Sequence, residues 1–145
     1  MEKLEIISRS TLETDYTGAV VPLFTEQVAA GFPSPADDYL EENLDLNKYL
    51  VKHPIATFFV RVTGDSMIGA GIHSGDILIV DRSLEADNRK VVIAVVDGEL
   101  TVKRLVRKDG AVYLMPENDK YEPIVIKDEV DLEVWGVVTS VIHTV

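Results

Sequence analysis

Ser66 is the residue whose setting best suits nucleophilic chemistry. It stands in Gly64-Asp65-Ser66-Met67, shortly after the strongly β-prone segment 58–62, so a predicted strand ends where the serine enters a turn. A hydroxyl in such a place is accessible, and nearby backbone N–H groups, including that of Ser66 itself, can stabilise an oxyanion. The alternative is an ordinary turn serine that caps a short helix. Taken alone, the tetrapeptide favours that ordinary role.

A serine nucleophile needs a base, and the sequence offers two candidates, His73 and Lys103. Lys103 lies in the run 100–106, where a strand would place Thr101, Lys103 and Leu105 on one face. Apolar surroundings lower the pKa of a lysine and so allow it to accept a proton near neutral pH. The neighbouring Arg104 cannot do so, because a guanidinium stays protonated in proteins. By itself the Lys-Arg pair is more typical of an exposed edge strand, so the choice of base stays open at this point.

Composition excludes several other classes of function. The net charge is −11, with 25 acidic against 14 basic residues, and autonomous binding to nucleic acid requires the opposite balance. There is no cysteine, which excludes disulfides, zinc–thiolate sites and thiol nucleophiles and fits a cytoplasmic protein. The histidines, His53, His73 and His143, have no metal-binding spacing, and no nucleotide-binding motif is present, so we expect neither metal nor cofactor. No apolar run approaches the roughly 20 residues of a membrane span, and we expect no membrane association.

The elements that must position these residues are mostly strands. Residues 1–30 show no clear period and are predicted to form a flexible arm. The segment 29–36 consists mostly of small residues and contains two prolines, which favours an extended backbone. A short helix is predicted over 45–52. Strands are predicted over 57–62, 76–80, 91–96, 99–106, 111–115, 123–126, 132–138 and 139–145. Asp97-Gly98 and Asp109-Gly110 are typical of hairpin turns. The pattern indicates a mostly β domain with a partly closed, barrel-like arrangement of short strands and little helix.

Three features, in this order, resemble the LexA/UmuD family of self-cleaving serine–lysine (S24-type) peptidases. Ala30-Gly31 resembles the family's cleavage bond, Ser66 its nucleophile, and Lys103, 37 residues later, its base. The flanking segments 31–36, 74–81 and 135–138 are also similar, and the resemblance extends roughly over 21–141. The family's repressors carry a DNA-binding domain before the cleavage site, which the 30-residue arm is too short to contain. The resemblance is therefore to the UmuD branch, although the first twenty residues match poorly and Ala30 is closer to LexA.

The resemblance implies a mechanism and partners. Self-cleavage would remove the arm 1–30 and leave 31–145 as a peptidase and dimerisation domain. The extended segment 29–36 would dock as an added strand at a sheet edge, and neutral Lys103 would take the proton of Ser66. A RecA filament on single-stranded DNA would promote the cut during the SOS response, and the shortened homodimer would serve a UmuC-like Y-family polymerase in translesion synthesis. The alternatives are a non-catalytic dimeric interaction module and a small LexA-like regulator of transcription.

Overall fold

The computed structural model describes residues 2–7, 20–24, 41–128 and 132–145, and every structural statement below concerns these residues. The chain divides into two compact units, one of Met1–Arg9 with His53–Val145 and the other of Ser10–Lys52. In chain order the elements are β1 (Lys3–Ile7), β2 (Val20–Phe24), β3 (Glu41–Asp45), α1 (Leu46–Leu50), β4 (Thr57–Thr63), β5 (Ile77–Asp81), β6 (Val91–Val96), β7 (Glu99–Lys108), β8 (Ala111–Met115), β9 (Ile124–Ile126) and β10 (Leu132–Ile142).

The larger unit is built on one eight-stranded antiparallel sheet with the strand order β1-β4-β5-β10-β6-β7-β8-β9. The predicted mostly β fold, with its partly closed, barrel-like sheet and little helix, is confirmed. The prediction of two strands over 132–138 and 139–145 was wrong, because β10 continues to Ile142. Its register shifts at Val134/Gly136 and Val138/Ser140 let one strand pair first with β6 and then with β5.

The sheet buries apolar residues on both faces of its central strands. In β6 and β7, Ile93 and Val102 are paired and belong to one buried cluster, whereas Val92 and Leu105 belong to a second. The first cluster contains Val60, Val62, Met67, Ile72, Leu78, Val80, Ile93 and Val102. The second contains Val92, Ala94, Leu105, Val112, Leu114, Ile126 and Val137. A polar side chain placed among these central positions is therefore removed from solvent.

The first strand lies within the segment that the sequence predicts to be an arm. β1 pairs antiparallel with β4, from Lys3 opposite Thr63 to Ile7 opposite Phe59. Leu4 packs against the first cluster. This pairing brings the residue before β1, Glu2, next to the turn that follows β4.

The smaller unit contains a two-stranded antiparallel sheet of β2 and β3, followed directly by α1. Asp45 caps this helix, since its Oδ1 accepts hydrogen bonds from the N–H groups of Asn47 (3.0 Å) and Lys48 (3.4 Å). The short helix predicted from the sequence is confirmed. The predicted cleavage bond, Ala30-Gly31, lies outside the described residues. Among the described residues, no helix is long and apolar enough to cross a membrane.

Candidate active site

Ser66 lies in the turn after β4, and the backbone of a second loop fixes this turn in place. The Ser66 carbonyl accepts a hydrogen bond from the N–H of Glu117 (2.8 Å), and the N–H of Gly69 donates to the Glu117 carbonyl (2.8 Å). The side-chain amide of Asn118 donates to the carbonyl of Asp65 (2.9 Å). Ser66 is only 2% exposed. The turn therefore holds the hydroxyl in a fixed, largely water-excluded position, and the expectation of an accessible serine was wrong for this state of the site.

Lys103 reaches Ser66 from the centre of β7. Its Nζ lies 3.1 Å from Ser66 Oγ, within the range expected for a nucleophile and its base. Lys103 is 5% exposed and is paired with the buried Val92 of β6. The buried Leu105 lies two residues further along β7, on the same face of the strand. Burial excludes the alternative of an exposed basic pair at this position.

Two oxygen atoms next to Lys103 orient its ammonium group. Nζ donates hydrogen bonds to Thr101 Oγ1 (2.9 Å) and to the Val102 carbonyl (3.0 Å). Both acceptors belong to β7, so the strand that carries the lysine also fixes the direction of its head group. The predicted shared face of Thr101 and Lys103 thus brings two functional groups together.

A carboxylate that the sequence did not predict occupies the space between the two residues. Glu2 Oε2 accepts from Ser66 Oγ (2.5 Å) and from Lys103 Nζ (2.6 Å). Its Oε1 accepts from the backbone N–H of Val102 (2.9 Å) and from Thr101 Oγ1 (3.2 Å). Burial alone would raise the pKa of Glu2, but the hydrogen bonds from Lys103, Ser66 and Val102 and the lysine charge outweigh it and lower the pKa below its ordinary 4.5. Glu2 is therefore held as a carboxylate.

An unpaired length of β7 borders this site. In the described chain, β6 pairs with β7 from Glu99 to Arg104, whereas β8 pairs only from Arg104 to Lys108. Among the described residues, the edge of residues 99–103 on the β8 side therefore pairs with no strand, although β1 lies near β7. The N–H of Val102, which donates to Glu2, belongs to this edge. The segment predicted to add as a strand at a sheet edge, 29–36, lies outside the described residues.

His73, the alternative base, is engaged elsewhere. Its ring stacks on that of His143, with centroids 4.4 Å apart, and its Nδ1 lies 3.7 Å from Asp76 Oδ2. Among the described residues, the side-chain partners of Ser66 Oγ are Glu2 and Lys103. The geometry therefore favours the lysine as the base.

His73, Asp76 and His143 form the one group in the described chain that could hold a metal ion. His73, Asp76 and His143 offer three ligand atoms that all lie within 4.8 Å of one another. These three residues are also hydrogen-bonded to one another. Asp76 Oδ2 accepts from the backbone N–H of His73 (2.7 Å), and Asp76 Oδ1 is hydrogen-bonded to the ring Nδ1 of His143 (2.6 Å). Burial would raise the pKa of Asp76, but these bonds and the histidine charges outweigh it and lower the pKa. His53 is paired separately with Asp81, at 2.6 Å.

Sequence reasoning identified Ser66 and Lys103 but missed Glu2. Its contacts with those residues span 64 and 101 positions of the chain, so no spacing rule relates them. The weak apolar alternation of Leu4 and Ile6 was the one local sign that the segment could form a strand. Gly64 belongs to the turn that the sequence predicts, but its closeness to Glu2 depends on tertiary structure.

Comparison with known proteins agrees with the family resemblance that the sequence motifs indicate. A family model described as Peptidase S24-like matches residues 22–139. Protein SamA of Salmonella typhimurium is 50% identical over 131 residues, which cover 90% of this chain and 91% of SamA. Protein ImpA of Escherichia coli is 48% identical over 124 residues, 86% of this chain and 84% of ImpA. The LexA repressor of Clostridium perfringens is 38% identical over 125 residues, 86% of this chain but 60% of the repressor.

Proposed function

Because the chain belongs to the S24-like peptidase family, and within it to the UmuD-like proteins, we propose that it is a serine endopeptidase that cuts its own Ala30-Gly31 bond. Ser66 is the nucleophile and Lys103 the general base. The observation that carries this proposal is the 3.1 Å approach of Lys103 Nζ to Ser66 Oγ in a buried site. No cofactor is required, because the two side chains supply both the attacking group and the proton acceptor.

The proposed chemistry follows from these positions. With the substrate segment docked, unprotonated Lys103 takes the hydroxyl proton as Ser66 Oγ attacks the carbonyl carbon of Ala30. Backbone N–H groups, including that of Ser66, stabilise the oxyanion. Protonated Lys103 then gives its proton to the Gly31 nitrogen as the C–N bond breaks, which leaves Ala30 as an ester on Ser66. Water hydrolyses this ester and regenerates the serine.

The open edge of β7 supports the docking step. An extended segment with small residues, such as the one around Ala30 and Gly31, can hydrogen-bond to the edge and bring its backbone close to Ser66. Because the substrate belongs to the same chain or to a dimer partner, docking depends on effective local concentration rather than on bulk affinity. A slow reaction can therefore be controlled by whether the segment is docked.

The biological role is proposed from the relatives. SamA and ImpA are UmuD homologues, and the LexA similarity points to the same regulatory context. In this role the protein is a cytoplasmic homodimer. A RecA filament on single-stranded DNA stimulates its cleavage in the SOS response. The shortened dimer then assists a UmuC-like Y-family polymerase in translesion synthesis. The net charge of −11 agrees with action through protein partners rather than direct binding to DNA.

A second candidate, a non-catalytic dimeric interaction module, is favoured by one observation. Glu2 fills the space between the proposed nucleophile and base, as a permanently blocked site would require. The two candidates differ in whether the chain is ever cut.

The test is incubation of the purified chain at alkaline pH and, separately, with RecA, nucleotide and single-stranded DNA, followed by mass spectrometry and N-terminal sequencing. The peptidase proposal expects a product that begins Gly31-Phe32-Pro33. Ser66→Ala and Lys103→Ala should abolish it.

Matched controls are available in the same sheet. Lys108→Ala changes an exposed lysine on β7, and Ser140→Ala changes a serine on β10, so both should be cut normally. An intact chain under all conditions would refute the peptidase and leave the interaction module. A product with a different first residue would refute the assigned bond.

A further inference from the structure

We propose that the Ser66–Lys103 site is also a carboxylate-binding site whose resident ligand is the side chain of Glu2, so that strand β1 closes the site against its substrate. This inference rests on the proposed function for its consequence, the control of cleavage. The binding site itself is defined by contacts that do not depend on catalysis. Its four donor groups, all directed at one carboxylate, are Ser66 Oγ, Lys103 Nζ, Thr101 Oγ1 and the Val102 N–H.

The site is complementary to a carboxylate in both charge and geometry. One oxygen takes the hydroxyl and the ammonium, and the other takes a backbone N–H and a second hydroxyl. A carboxylate has only acceptor sites, so all four groups act as donors towards it. The side chain of Glu2 is 13% exposed and that of Lys103 is 7%, so solvent competes little for these bonds.

The backbone around Glu2 is adapted to this position. Gly64 has φ +116°, and a Cβ added there would lie 3.0 Å from Glu2 Cα. A side chain at 64 would therefore crowd the backbone of Glu2, and the positive φ would itself be strained for any residue other than glycine. The antiparallel pairing of β1 with β4 begins at the next residue, Lys3 opposite Thr63, and fixes where the carboxylate lies.

Glu2 competes with catalysis at two points. Ser66 donates its proton to Oε2 and Lys103 donates to the same oxygen, so the serine proton is not directed at the base while Glu2 is bound. Oε1 also takes the Val102 N–H, which belongs to the free β7 edge where a substrate strand would dock. Glu2 and the segment around Ala30 therefore exclude each other. Cleavage after Ala30 would also remove the bound residue with the rest of 1–30.

The first experiment compares self-cleavage of the full chain with that of Glu2→Gln and Glu2→Ala. Glutamine keeps the shape but loses the charge, and hydrogen bonds to a charged partner are roughly twice as strong as neutral ones. We expect Glu2→Gln to cleave about tenfold faster and Glu2→Ala at least as fast. Glu5→Gln, an exposed change on the same strand, is the matched control and should cleave at the wild-type rate.

The second experiment restores the ligand chemically. Acetate reproduces the atoms that Glu2→Ala removes, Cγ and the carboxylate, whereas acetamide reproduces their shape without charge. Acetate should slow cleavage of Glu2→Ala and shift the backbone amide resonance of Val102, and acetamide should do neither. The wild-type chain, whose site is filled, should respond to neither compound.

The outcomes separate the two proposals. If no variant cleaves at any pH but acetate still shifts Val102 in Glu2→Ala, the peptidase fails and the carboxylate site stands. If the chain cleaves, the Glu2 variants match the wild-type rate and acetate leaves Val102 unchanged, the peptidase stands and this inference is overturned.

Discussion

The ion pair between Glu2 and Lys103 should contribute measurably to folding stability, and a double-mutant cycle can isolate that contribution. The four proteins of the cycle are the parent, Glu2→Gln, Lys103→Met and the double variant. All four carry Ser66→Ala, so that none can be lost to self-cleavage. The quantity of interest is the coupling energy between the two changes in the free energy of unfolding.

The structure sets the expected magnitude. At the observed 2.6 Å between Nζ and Oε2, the Coulomb energy is about 6 kcal/mol at an effective dielectric constant of about 20. Desolvation of both groups offsets much of this energy, and hydrogen bonds to charged groups contribute about 1.5–3 kcal/mol net. We expect a coupling energy of about 2 kcal/mol. The measured coupling energy cannot exceed the free energy with which β1 docks on the sheet. A variant that lost more than this would simply release the strand, and no further contact would remain to be lost.

The neighbouring pair of Arg104 and Glu117 provides the control. Its Nε–Oε1 distance is 2.5 Å, similar to that of the first pair, but its side chains are 29% and 33% exposed. A parallel cycle with Arg104→Met and Glu117→Gln should give less than about 1 kcal/mol, as for solvent-screened pairs.

The assay is urea unfolding at neutral pH, followed by circular dichroism at low and high salt. Added salt should weaken the coupling of the exposed pair and leave that of the buried pair nearly unchanged. A coupling energy for Glu2 and Lys103 that is no larger than that of the control pair, or that salt removes, would refute the reasoning.

Three further predictions follow from the site and its supports. Asp76→Asn should lower stability at neutral pH by about 1–3 kcal/mol, because it weakens hydrogen bonds from His73 and His143 to a buried carboxylate. Because the folded-state pKa of Asp76 lies below its ordinary 3.8, its contribution is complete above that value and is lost as pH falls through the folded pKa, so thermal unfolding curves of variant and parent should converge in acid. Lys103→Arg should leave the chain uncut, because a guanidinium cannot accept the serine proton, and a product band from this variant would show that Lys103 is not the base. Gly31→Glu should also block cleavage by obstructing close approach of the bond to Ser66, and electrophoresis that shows normal cutting would show that the bond lies elsewhere.

The sequence by itself predicted most of the strands and singled out Ser66 as the candidate nucleophile. Strands such as β6 and β8 have the predicted bounds, because dense β-branched and apolar residues between turn signals are a local property. The turn at Gly64 and the strand before it likewise follow from adjacent residues. The family resemblance then joined Ser66 with Lys103, which physical reasoning from the residues alone had left undecided against His73.

Tertiary structure favours Lys103 over His73 as the candidate base and shows which side chain occupies the site. Lys103 and His73 each stand in a plausible local context, and the pairing of β7 within the sheet places the first beside Ser66 while Asp76 and His143 hold the second. The sequence predicted two strands in place of β10. The bulges at which β10 changes from one neighbouring strand to the other depend on those neighbours, so local residues do not reveal them.

Glu2 is the clearest case of a role that only the fold creates. As one acidic residue among 25 it carries no distinguishing pattern, and its partners lie 64 to 101 residues away. Its function depends on β1 pairing with β4 and on the space left by Gly64. Local patterns report propensity and burial, whereas the electrostatic partner of a charged side chain is set by which distant segments the fold brings together.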